Sequence, residues 1–135
     1  MMQIARGFLI AGVFFAILST SIAYAEDAYP YDGVASGTRN RGGVLIIYAG
    51  TKQYLDFSLK STWTNRNTGV TNTGYLKGRA LAGGPDGSRV FETNERGYCK
   101  LFILRDEGYY QISQQGCENY AGYNVRFEGM YGPYR

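Results

Sequence analysis

Polar and apolar residues alternate with a period of two through most of the chain after residue 43, and that period constrains the fold more than any other feature. Residues 52–60 are the cleanest case, with Leu55, Phe57 and Leu59 on one side and Asp56, Ser58 and Lys60 on the other. Successive side chains of a strand leave opposite faces of a sheet, so this is the signature of a half-buried strand. Residues 74–82 repeat it: Tyr75, Lys77, Arg79 and Leu81 face one way, Leu76, Gly78 and Ala80 the other. The small residues Gly78 and Ala80 allow a strand bend or the close approach of a neighbour. Cys99, Leu101 and Ile103 share a face in residues 98–104, and Tyr110 and Ile112 share one in residues 109–114. Between those arms, Arg105-Asp106-Glu107-Gly108 reads as a hairpin turn. At the C-terminal end Tyr123, Val125, Phe127, Gly129 and Tyr131 alternate with Asn124, Arg126, Glu128 and Met130, which predicts a last strand with Tyr123 turned inward.

Two further short strands are expected at residues 44–48 (VLIIY) and 88–93, with turns at 83–87 (GGPDG) and 94–97. Residues 64–73 (TNRNTGVTNT) read as a polar loop, and residues 26–41 as a Gly-, Pro- and Tyr-rich segment with Val34-Ala35-Ser36 as a short strand. After residue 25 no apolar set recurs at helical spacing for three turns, so no helix of consequence is expected. One-sided alternation belongs to antiparallel sheets. Seven or eight short strands joined by tight turns predict an all-β fold, closing most simply as a small antiparallel up-and-down barrel, which removes exposed edges. A two-sheet β-sandwich is the alternative closure.

The N-terminus gives an address. A single positive charge at Arg6 precedes a nearly unbroken apolar run over residues 7–23, and Ala23-Tyr24-Ala25 places small residues where signal peptidase requires them. Residues 1–25 are therefore expected to be a signal peptide and residues 26–135 a single domain. The membrane is expected to be met only through that transient segment. In an exported chain, Cys99 and Cys117, the only cysteines, are expected to join as a disulfide rather than act as a redox pair, which usually needs Cys-x-x-Cys spacing.

Composition removes whole classes of chemistry. The chain has no histidine, which excludes Ser-His-Asp and Cys-His nucleophile activation and His-ligated zinc. Acidic residues adjacent in sequence, Asp106-Glu107 and Glu26-Asp27, fall at a turn and at the expected new terminus, where they are solvated. No catalysis, cofactor or metal is expected. Lys and Arg outnumber Asp and Glu by 14 to 11 and are scattered, so no nucleic-acid footprint is expected.

Recognition by surface contact is what remains. Ser36, Thr38, Arg39 and Arg41 lie in a Gly-rich stretch (SGTRNRGG) whose guanidinium groups suit carboxylates in an acidic groove. Trp63, the only tryptophan, ends a strand and suits either a barrel cap or an interface anchor. The 13 tyrosines are expected to be mainly structural, with the ring packed at the sheet and the hydroxyl directed to water or backbone.

Cys99-x-Leu101, Gly116-Cys117, Gly122-x-Asn124-Val125 and Gly129-x-Tyr131 resemble a pattern in small exported proteins of Gram-negative bacteria. In architecture the chain resembles the periplasmic lysozyme inhibitors. The resemblance implies an exported binding protein whose partner is another protein, such as a lysozyme or other envelope enzyme, blocked by occlusion. The c-type inhibitor family inserts a loop bearing Ser and Lys into the enzyme's acidic cleft. Ser36-Gly37 matches a fragment of that loop, while the accompanying Tyr and Lys are not in place. A small-ligand or glycan carrier using the barrel mouth, and a structural envelope component, are the other functions this architecture admits.

Overall fold

The computed structural model describes residues 27–133, so the expected signal peptide lies outside the described residues. Eight strands follow one another in space as they do in sequence: β1 (Asp27–Pro30), β2 (Arg41–Gly50), β3 (Tyr54–Thr64), β4 (Thr71–Ala82), β5 (Arg89–Thr93), β6 (Cys99–Asp106), β7 (Tyr109–Gly116) and β8 (Gly129–Tyr131). Every neighbouring pair is antiparallel. The ends of the sheet meet where Tyr31 bridges Tyr131, with Asp32 N–H donating to Met130 O at 2.8 Å and Gly132 N–H to Pro30 O at 2.7 Å. The result is a nearly closed up-and-down barrel.

Its interior is filled by the residues that the alternation turned inward. Leu45, Leu59, Leu101 and Phe127 are fully buried, and Leu55, Phe57, Leu76, Ile103 and Ile112 nearly so. Each such side chain contributes roughly 1.5–3 kcal/mol by leaving water. Tyr110 and Tyr131 are buried as expected, and Tyr131 donates its hydroxyl to Phe127 O at 2.8 Å, which removes the cost of an unpaired buried phenol. Glu107 and Gly108 turn the β6–β7 hairpin with φ of 48° and 87°, the left-handed pair that matches strand twist. A disulfide joins Cys99, at the start of β6, to Cys117, just past β7, with both residues fully buried.

Three local expectations are corrected. Residues 34–36 form a helical turn, α1 (Gly33–Ser36), rather than a strand. Asp32 caps it by accepting from Val34 and Ala35 N–H at 3.0 Å, and Gly37 ends it with φ of 76°. The polar loop shrinks to residues 65–70, because β3 runs to Thr64 and β4 begins at Thr71, strand ends whose threonine and asparagine side chains are exposed or only half-buried. The last strand is confined to Gly129–Tyr131, and Tyr123 is 76% exposed. Residues 122–128 instead cross the barrel end, with Asn124 in a left-handed turn at φ 61°. Val125 and Phe127 still reach the core. Phe127 N–H is satisfied by the Gln114 side chain at 2.6 Å in place of a ladder bond.

Candidate functional site

Arg39 and Asn40 lead into β2, and β2 pairs with the end of β3 so that Arg41 lies opposite Trp63 and Gly42 opposite Thr62. Asn40 and Thr64 bind reciprocally: Thr64 N–H donates to Asn40 O at 2.9 Å, and the Asn40 amide donates to Thr64 O at 3.3 Å. The adjoining loop is equally tied. Asn65 Oδ1 accepts from Asn67 N–H at 2.9 Å, Asn65 N–H donates to Val70 O at 2.8 Å, and the Thr64 and Thr71 hydroxyls are 2.8 Å apart. This internally bonded rim presents Arg66 beside Arg39 and Arg41 around an open groove of about 380 Å³. Asn40, Gly42, Thr62 and Thr64 complete its lining, and no carboxylate is among the lining residues.

The three arginines are not equivalent. The Arg41 guanidinium donates to Arg126 O at 2.5 Å and to Ser61 Oγ at 3.4 Å, and lies 4.6 Å from the Tyr31 ring centroid. It therefore stitches β2 to the crossing segment 122–128. Arg39 and Arg66 are exposed and take part in none of the ion pairs among the described residues, which are Arg79–Asp56 and Arg126–Glu128. Both line the groove as exposed cations.

Ser36 and Thr38 are also engaged within the fold. Ser36 Oγ accepts from Met130 N–H at 2.8 Å, and Thr38 shares a 2.5 Å hydrogen bond with the Tyr31 hydroxyl. Ser36 thus ties the stretch 33–41 to β8, and Thr38 ties it to Tyr31, just past the end of β1. The Asp32 carboxyl is held below the usual carboxylate range chiefly by the Ala35 N–H, with help from the Tyr109 hydroxyl and the Val34 N–H. Trp63 stands at the barrel end, edge-on to Tyr123 with ring centroids 6.3 Å apart. Nothing in the sequence alone singles out Arg66. The signal that would have found it is the pairing of β2 with β3, which brings residues 39–41 beside the loop that follows Thr64.

Two other surface features bear on function. A groove of about 400 Å³ lies outside β6 and β7, floored by Phe102 and Leu104 and edged by Gln111, Ser113, Gln115 and Asp86. Among the described residues no group of three or more Cys, Asp or Glu side chains is placed to hold a metal ion. Compared with protein-family models, curated proteins and solved structures, the chain matches none of them.

Proposed function

We propose that this is an exported, non-catalytic binding protein that docks its arginine rim onto an acidic surface of another protein. The observation that carries the reading is the groove flanked by Arg39 and Arg66, free of carboxylates and set on a hydrogen-bonded rim. A rigid cationic rim loses little conformational freedom on binding, and its guanidinium forks suit paired carboxylates. The acidic cleft of a lysozyme or other envelope enzyme has the required chemistry, and filling it would inhibit by occlusion with no bond made or broken. The disulfide is compatible with an oxidising compartment, and together with residues 1–25 it supports export to the periplasm or beyond.

The filled interior argues for recognition on the outside rather than carriage in the barrel mouth. A glycan reading gains support from the β6–β7 groove instead, where an apolar floor sits beside amide and hydroxyl groups. Capture from a periplasmic extract separates the two. Immobilised wild-type protein should retain a protein partner that the Arg39→Ala, Arg66→Ala double variant does not. Equal retention by both baits, or retention only of glycan, rejects the arginine-rim reading.

A further inference from the structure

Strand β4 has one edge that the barrel leaves open. It pairs with β3 from Thr71 to Leu81, yet meets β5 only where Leu81 faces Val90 and Ala82 faces Arg89. Ala82 N–H donates to Gln53 O on the β3 side, whereas Thr73 O accepts from Gly122 N–H on the opposite edge. Main-chain groups alternate between the two edges of a strand. Tyr75, Lys77 and Arg79 therefore direct N–H and C=O towards the edge that, among the described residues, no strand covers.

The sequence enforces the split. The Phe91 ring occupies the space beside Gly78, where an added Cβ would sit 2.3 Å from Phe91 Cε1, and it packs edge-on to Phe57. Lower down, the Tyr120 hydroxyl donates to Gly97 O at 2.9 Å and accepts from Arg96 N–H at 2.8 Å, fixing a second ring in the gap. A cavity of about 190 Å³ remains, lined by Leu76, Phe91, Thr93 and Tyr120, with the exposed Tyr75, Lys77, Glu95 and Arg96 around it. On the outer face, Arg79 is paired with Asp56 at 2.7 Å, while Lys77 is exposed and forms no ion pair among the described residues.

We propose that this edge accepts an extended segment of another polypeptide, which adds a strand along Tyr75–Arg79. In strand addition, main-chain hydrogen bonds supply affinity and pockets for alternate side chains supply specificity. Here the pocket between Phe91 and Tyr120 takes an apolar side chain, and Lys77 meets an acidic side chain on the outer face. The favoured segment alternates apolar and acidic residues. A second copy of this chain is a poor occupant, because antiparallel self-pairing centred on Lys77 sets two lysines opposite each other. The inference is independent of the arginine rim, which is built from the start of β2, the end of β3 and the loop between β3 and β4.

The probe is a fluorescein-labelled peptide of sequence Glu-Leu-Glu-Phe-Glu-Leu-Glu, titrated by fluorescence polarisation and followed by amide hydrogen exchange. Binding should slow exchange at Lys77 and Arg79. N-methylation of the peptide groups that face β4 should weaken it by about tenfold or more, the effect of losing one hydrogen bond or more. Lys77→Glu, an exposed change checked for an unaltered melting curve, should weaken it similarly, and Arg39→Ala with Arg66→Ala should not. Absence of binding, unchanged exchange on β4, or equal affinity for the N-methylated peptide overturns the inference. So does binding lost with the rim arginines rather than with Lys77.

Discussion

Replacing Arg41 by alanine tests whether the arginines beside the groove divide into one that builds the rim and others that stand free of it. Arg41 contributes a charge-assisted hydrogen bond to Arg126 O and a contact with the Tyr31 face. A hydrogen bond to a charged group is worth about 1.5–3 kcal/mol, and a partly exposed cation–aromatic contact about 0.5–1 kcal/mol. Two features pull the sum down. Arg126 O also accepts from Ser61 Oγ at 2.6 Å, so truncation does not leave it orphaned. Arg41 Nε is buried without a partner, so removing it relieves a standing cost. A net loss of about 2 kcal/mol follows, on the order of 10 °C in melting temperature for a domain of this size. Arg39→Ala, by contrast, removes an exposed side chain with no ion pair and should shift stability by less than about 0.5 kcal/mol. Urea and thermal unfolding of the two variants, read by circular dichroism, give the comparison. Equal stability of Arg41→Ala and Arg39→Ala would refute the division.

Replacing Cys99 and Cys117 together by alanine should cost about 3 kcal/mol, the loop-closure value for a separation of 18 residues, measured as a lower urea midpoint; an unchanged midpoint would contradict it. Gly78→Ala should destabilise by roughly 1–3 kcal/mol through its clash with Phe91, and adding Phe91→Leu should recover part of the loss, read as non-additivity in a double-mutant cycle. Burial pushes the Tyr131 phenol well above its ordinary value of 10. The unfolded chain ionises near that value while the folded state keeps the proton. Stability should be complete below about pH 10 and fall as pH rises above it, and Tyr131→Phe should flatten that limb.

Much of the barrel was legible because a strand that buries one face must alternate, and the central residues of β3, β4, β6 and β7 do so. Where burial no longer imposes that period, the sequence is mute or misleading. Residues 122–128 keep the alternation in sequence, but the left-handed turn at Asn124 breaks the extended chain, so Tyr123 is exposed while Val125 and Phe127 stay buried. The α1 turn is too short for a helical period, and its only signals are the cap residues Asp32 and Gly37. Strand β1 is four residues long and ends in Pro30, which leaves too little pattern to read. At the candidate site, the sequence picked out a cluster of arginines but could not separate Arg41, held by Arg126 O, from Arg39. Nor could it join Arg66 to them, because that neighbourhood is created by β2–β3 pairing and not by adjacency in the chain. The open edge of β4 is invisible in sequence for the same reason.

A muramidase titration with wild-type protein and the Arg39→Ala, Arg66→Ala double variant, at low and high salt, asks whether Arg39 and Arg66 dock into an acidic enzyme cleft. A desolvated ion pair loses about 2–5 kcal/mol when one partner is truncated, whereas a rim charge acts mainly on association rate and salt dependence. Docking through these arginines requires inhibition by the wild type at micromolar concentration, weakened by salt, and at least about tenfold weaker inhibition by the double variant with an unchanged melting temperature. Inhibition that is indifferent to both salt and the double substitution, or no inhibition by the wild type, would contradict it.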